Sequence, residues 1–182
     1  MASIGFTRDL FFTTTTVVDW VDVFTRPNYK RIVIDSLKYS QDNKGLVLHA
    51  WVLMTNHLHM IVSTNEQNLS DVLRDFKKFT SKKMISAIMQ NENESRKDWL
   101  LDRFHFAAAN DKKITYYKFW QDGNYVEEIQ TADFCKQKIN YIHQNPVRQE
   151  FVTRPEDYLY SSARNYSGMT GLLEIEPIVI IS

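Results

Sequence analysis

One cysteine, four prolines and five glycines stand among 182 residues, and each shortage excludes something. The lone Cys135 cannot build an internal disulfide framework, and a single thiol in a chain of this size fits a reducing compartment. So little glycine and proline, beside 43% apolar and 13% aromatic residues, excludes collagenous, low-complexity and disordered chains. No apolar run approaches the roughly 20 residues of a membrane span. Met1–Leu10 carries Arg8 and Asp9 and leads into a threonine-rich stretch, unlike a signal peptide. The expectation is a cytoplasmic protein without membrane contact, with the short apolar Ile178–Ile181 as a docked tail. An excess of one charge is missing too: 22 Lys and Arg balance 22 Asp and Glu. That balance argues against coating nucleic acid by bulk charge, since such domains run basic. The zero is uneven, with 20 basic and 17 acidic residues up to Arg148 and 2 against 5 beyond it. Without an internal repeat or a Gly/Ser/Pro-rich linker, residues 1–182 are expected to form one domain, with 149–182 as an acidic C-terminal extension.

What is present is a regular succession of elements. Phe11–Trp20, rich in Phe, Thr and Val, predicts a strand. Asn28–Gln41 predicts a helix behind Pro27, with Ile32, Ile34, Leu37 and Tyr39 on its apolar stripe. Asp42-Asn43-Lys44-Gly45 reads as a turn before two strands, Leu46–Met54 and His57–Thr64. Leu69, Val72, Leu73, Phe76, Thr80, Met84 and Ile88 recur at three- and four-residue spacing, the mark of a long amphipathic helix that Asn68 or Ser70 could cap. Asn91–Asn110 reads as further helix, Tyr116–Gln121 as a strand and Asp122-Gly123-Asn124 as a turn. Ala132–Gln144 reads as a helix that stops at Asn145-Pro146, because proline disfavours helical geometry in the residue before it. This order predicts an α+β domain with helices packed on one face of an antiparallel sheet.

Chemistry concentrates in two places. In Met54-Thr55-Asn56-His57-Leu58-His59-Met60 the strand period puts His57 and His59 on one face, about 7 Å apart at their Cα atoms, with Leu58, Met60 and Val62 facing the helix layer. Two imidazoles so placed can grip one divalent cation, or can be ordinary residues of a half-buried strand face. In Lys138–Arg148 the helical period sets Tyr141 beside Gln144 and Asn145. That joins a hydroxyl to amide oxygens, acceptable ligands of a hard cation. A tyrosine titrates near pH 10 and needs a metal or a base to act as a nucleophile. The other reading packs its ring in the core.

Together these segments resemble the single-tyrosine transposases. His57-Leu58-His59 matches their histidine–hydrophobic–histidine motif, and Tyr141-Ile142-His143-Gln144-Asn145-Pro146-Val147-Arg148 is similar to the tyrosine helix of the branch associated with repetitive extragenic palindromes. Trp120-Gln121, Pro155-Glu156-Asp157-Tyr158 and Ser161-Ser162-Ala163 match further anchors, in order from about Leu46 to Tyr166. Thr55 departs from the proline that commonly precedes the Asn-His pair, and Asn91–Asp111 exceeds the usual connection. The resemblance implies a ferredoxin-like sheet acting on single-stranded DNA at or beside imperfect hairpins. It implies a divalent metal held by His57, His59 and Asn145, with Gln144 as the alternate amide. It implies Tyr141 as the nucleophile that forms a 5′-phosphotyrosine link and frees a 3′-hydroxyl. Two imidazoles suit Mn²⁺, whereas Mg²⁺ prefers oxygen ligands. Related enzymes can be obligate homodimers, while the palindrome-associated branch looks more monomeric. Two rivals use the same residues: a DNA-binding protein that recognises hairpins without cutting, and a phosphoesterase of small nucleotides.

DNA contact requires phosphate neutralisation. Arg74, Lys77, Lys78, Lys82 and Lys83 outnumber Asp71 and Asp75 on the long helix, and 74, 78 and 82 share a face. They form either a DNA track or a solvated lysine face. Arg148 in the tyrosine motif is a further contact. Arg26, Lys30, Arg31 and Lys38 form a second basic candidate, and Tyr116, Tyr117, Phe119, Trp120 and Tyr125 are either base-stacking platforms or core aromatics. His49 and His105 have no ligand-like neighbours in this reading, and His143 falls on the opposite side of its helix from Asn145, which suits a structural or phosphate-contacting role.

Overall fold

Four strands make one antiparallel sheet in the order β2-β3-β1-β4, from β1 (Phe11–Thr16), β2 (Leu46–Leu53), β3 (His57–Thr64) and β4 (Tyr125–Glu128). The computed structural model of the chain describes residues 9–65, 67–109, 111 and 116–179. The helices are α1 (Pro27–Lys44), α2 (Leu69–Gln90), α3 (Lys97–Ala109), α4 (Ala132–Arg148) and the short α5 (Ala163–Tyr166). The succession β1-α1-β2-β3-α2-β4 with this strand order is the ferredoxin-like arrangement, so the α+β expectation holds.

Local chemistry sets the helix bounds. Pro27 opens α1, where a missing N–H is harmless, and Gly45 closes it in the left-handed region at φ 63°. Asp42, Asn43 and Lys44 are therefore the last turn of α1 and not a separate loop. Asn68 caps α2 by accepting from the Ser70 N–H, and every residue of the predicted stripe beyond Leu69 is buried. On α1 the stripe is set by Tyr29, Val33, Ile34 and Leu37, while Tyr39 is exposed.

The alternation along β3 divides the core. Leu58, Met60 and Val62 point to one side, where α1 and α2 cover them with Val33, Leu37, Val72, Phe76 and Met84. Leu58 is wholly buried, and its truncation to alanine would cost about 2–5 kcal/mol. Phe12, Ala50, Val52 and Ile61 point to the other side, against Cys135 and Ile142 of α4. The helices thus do not all share one face. The hydrophobic residues of α4 need cover of their own, and the sheet's second face provides it.

Three other boundaries differ from expectation. The first strand ends at Thr16, and Val18–Trp20 is a tight turn with Asp19 and Trp20 at φ 54° and 55°. Tyr116–Gln121 is not a strand: Phe119 and Trp120 plug the core against Phe24 and Phe104, and the fourth strand follows the Asp122-Gly123-Asn124 turn. Helix α4 runs through Pro146 to Arg148, because only one further turn remains and its end is satisfied independently. Glu150, left-handed at φ 58°, donates to the Val147 carbonyl, and Phe151 donates to that of Pro146, a complete Schellman closure.

Beyond α4 the chain returns along the outer edge of β2. Leu53 N–H donates to Tyr160 O, Ser162 N–H to Trp51 O and Glu176 N–H to Leu48 O. This covers an edge that would otherwise expose unpaired backbone groups. The expected tail at 178–181 lies partly outside the described residues, and no described helix is long and apolar enough to cross a membrane.

Candidate active site

The strand register brings the site together. Thr14 and Thr16 of β1 lie opposite His59 and His57 of β3, on the face that α4 covers. The two imidazole centroids are 4.6 Å apart, and the Tyr141 ring centroid is 5.1 Å from that of His59. The Tyr141 hydroxyl lies 3.4 Å from His59 Nε2. Phe12 floors the group, stacked on His59 at 5.6 Å and edge-on to Tyr141 at 6.1 Å.

Each histidine is held by its Nδ1. Asn56 Oδ1 lies 2.6 Å from His57 Nδ1, while Asn56 Nδ2 donates to the Trp20 carbonyl and to Asp22 Oδ1, at 3.0 and 2.9 Å. Those two acceptors fix which end of the amide faces the ring, so His57 carries its proton on Nδ1 and keeps the Nε2 lone pair free. Thr14 Oγ1 lies 2.7 Å from His59 Nδ1 and anchors that edge of the ring, which turns Nε2 toward Tyr141. Burial pushes His57 down to about 4, with the Asp22 carboxylate opposing. Burial, then His57 and Lys138, push His59 down to about 3. Both rings are neutral at neutral pH, the state in which imidazole binds metal.

The donor set fits a divalent cation. Among the described residues no three His, Cys, Asp or Glu side chains are placed to share one, so a third protein ligand would have to be of another type. Asn145 is buried one turn beyond Tyr141, and its Nδ2 donates to the Tyr141 carbonyl at 3.2 Å, so Oδ1 is the atom of its amide that could serve as a ligand. Gln144 is half-buried on the adjoining position. His143 turns the other way, buried against Ser162 Oγ and the Tyr166 ring, which makes it structural. His49 bonds Ser63 Oγ and the Glu176 carbonyl.

Two cations border the tyrosine. Lys138 sits 4.2 Å over the Phe12 ring and pairs with Glu127 at 2.9 Å, and the Arg148 guanidinium lies 5.7 Å from the Tyr141 ring centroid. The cations of α2 are elsewhere, since α2 packs on the opposite face of the sheet. Arg74 is paired with Asp71 and Asp75, and Lys77 Nζ donates to the carbonyls of Gln121 and Gly123. Lys78 and Lys82 line a groove of about 470 Å³ beside Tyr117 and Lys118. Arg26 pairs with Glu94, and Lys30 lies over the Tyr160 ring. Of the proposed stacking aromatics, Phe119 and Trp120 are buried, while Tyr116 and Tyr125 are exposed.

Thr14, Asn56, Asp22, Lys138 and Trp20 were not singled out from the sequence. Asn56 had a signal in its position directly before His57; Thr14 had none until β1 was paired with β3 in register.

The sequence model of the family described as IS200-like transposase matches residues 20–115. No match is found among curated proteins. A solved structure described as a REP-associated tyrosine transposase bound to a REP hairpin superposes with a TM-score of 0.60. The similarity covers all of this chain and 96% of that one at 16% identity, a likeness of fold. A candidate transposase from Deinococcus radiodurans R1 is similar over 78% of this chain and 95% of its own, at 16% identity and a TM-score of 0.43.

Proposed function

This chain belongs to the IS200-like transposase family, and from that premise we propose that it cleaves and rejoins single-stranded DNA beside hairpins through Tyr141. The observation that carries the reading is the 3.4 Å approach of the Tyr141 hydroxyl to His59 Nε2 within one chain. Such a site needs no residue from a second copy, which supports action in cis. A hairpin-bearing strand as substrate is supported by the REP hairpin in the structurally similar transposase.

His57 Nε2, His59 Nε2 and Asn145 Oδ1 would hold a divalent metal, with Gln144 as the alternate amide. A metal held by these residues would supply polarisation of a phosphate oxygen and stabilisation of the charge that develops there. The remaining work falls to the chain. Asn56 and Thr14 hold the imidazoles by Nδ1, which turns Nε2 toward the site, and Phe12 and α4 fix the phenol ring. The Tyr141 oxygen forms a bond to phosphorus as the bond to the 3′ oxygen breaks. The phenol loses a proton and the departing 3′ oxygen gains one. The phosphotyrosine keeps a phosphodiester's bond energy, so a 3′-hydroxyl can attack it and reseal the strand. Arg148, 5.7 Å from the Tyr141 ring centroid, would meet a phosphate there, and Lys78 and Lys82, with Arg74 and Lys77, would meet the strand away from the scissile bond.

Incubating the protein with a 3′-labelled hairpin oligonucleotide and Mn²⁺ or Mg²⁺ tests this. A detergent-resistant protein–DNA adduct is expected, absent from Tyr141→Phe although that variant still binds the hairpin. His57→Ala and His59→Ala should remove both the adduct and metal binding. An adduct from Tyr141→Phe, or cleavage in a chelator, would overturn the reading.

A further inference from the structure

Next to His57 the backbone does something that its residues do not favour. Asp19 and Trp20 are consecutive non-glycine residues in the left-handed region, at φ 54° and 55°. A bulky side chain rarely adopts that conformation, and it persists only where surroundings enforce it. Here they do. Val18 and Val21 on either side are buried, Asn56 Nδ2 donates to the Trp20 carbonyl, and Arg96 Nη1 donates to the Asp22 carbonyl at 2.8 Å.

The strained turn does not bury its tryptophan. The Trp20 side chain remains 60% exposed, its indole edge-on to His57 with centroids 5.9 Å apart. Burial of the indole itself thus does not account for the turn, which leaves an aromatic face presented at the rim of the site.

We propose that Trp20 is a base-stacking platform for an unpaired nucleobase next to the phosphate at His57 and His59. This inference rests on the reading of the site as one that handles single-stranded DNA. The chemistry around the ring favours a base over other partners. Asp19 and Asp22, both exposed, lie on either side of Trp20 in the chain, and their charge disfavours a phosphate backbone at this turn but does not oppose a neutral base plane. Stacking is tolerant of sequence, because every base offers a π-face, so the platform sets position more than identity.

The test compares a single-stranded oligothymidylate with an abasic strand of equal length and charge, at fixed salt and in a Tyr141→Phe background that stops chemistry. The full chain should prefer the base-bearing strand. Trp20→Ala should reduce that preference roughly tenfold while leaving abasic-strand binding unchanged. Trp20→Phe should keep most of the preference, and Trp20→Leu, apolar but without a π-face, should lose it. An unchanged preference in Trp20→Ala, equal weakening toward both strands, or equal behaviour of the Phe and Leu variants would overturn the proposal. Adduct formation by the unsubstituted chain separates the two readings. An adduct without a Trp20-dependent base preference sinks the platform alone; a Trp20-dependent preference without an adduct sinks the cleavage reading alone.

Discussion

Thr14 Oγ1 lies 2.7 Å from His59 Nδ1 because β1 and β3 pair in a register that sets these two residues opposite each other. The hydroxyl thereby decides which nitrogen of His59 faces Tyr141. Thr14→Val keeps the shape of the side chain and removes the hydrogen bond. The expected result is Mn²⁺ affinity lower by about 10–100-fold, the usual size of an effect transmitted through a ligand's partner. Thr14→Ser should restore it. Calorimetric titration with Mn²⁺ checks both, and a Val variant with undiminished affinity would show that the strand alone orients the ring.

Asn56 plays the same part for His57, and Asp22 acts behind it. Asn56→Ala should weaken Mn²⁺ binding about 10–100-fold. Asp22→Ala should weaken it less. Residues in one hydrogen-bond chain are not additive, so the double variant should bind no more weakly than Asn56→Ala. Additive losses would mean that Asp22 acts on the site by its charge and not through Asn56.

The pattern legible in the sequence was the one carried by periodicity. A strand period put His57 and His59 together, and helical spacing gave the buried stripe of α2. What escaped was set by tertiary context. Aromatic residues favour strands, yet Phe119 and Trp120 are used as core plugs from an irregular segment. Proline disfavours helix, yet Pro146 lies so near the end of α4 that the Schellman closure outweighs it. The Tyr141 motif marked a candidate nucleophile, but its approach to His59 depends on α4 lying across the sheet's second face, which no local pattern encodes.

The connection from Asn91 onward has a structural task that its sequence did not reveal. Glu94 is buried, with Arg26 Nε at 2.8 Å and Arg96 Nε at 3.2 Å. Despite burial, which opposes ionisation, the Arg96 backbone N–H and the Arg26 and Arg96 guanidiniums hold its carboxyl below the usual range. Arg96 also holds the Asp22 carbonyl. Glu94→Ala should destabilise the fold by about 1–2 kcal/mol, because two arginines lose their partner while water still reaches them. For a chain of this length that lowers Tm by roughly 2–8 °C in a thermal melt. A melt unchanged by the substitution would reduce the cluster to surface charge.

The segment that covers β2 should make the protein sensitive to alkali. The Tyr158 hydroxyl donates to the Leu53 carbonyl, and the Tyr166 hydroxyl donates to that of His49 while accepting from the Ile178 N–H. Burial pushes Tyr158 up to about 12, with Tyr160 adding to it. Burial pushes Tyr166 up to about 12 as well, with the Ile178 N–H opposing and Cys135 adding. In the unfolded chain both titrate near 10, so between about pH 10 and 12 the unfolded state releases protons that the folded state retains. Stability is therefore full below pH 10 and falls as pH rises through that window, by about 2 kcal/mol for each tyrosine. Tyr166→Phe removes one of these titrations along with its hydrogen bonds. It should be less stable than the parent at pH 8 but lose less stability between pH 10 and 12. Urea unfolding at stepped pH reads both slopes, and parallel curves for parent and variant would exclude Tyr166 as a source of the alkaline loss.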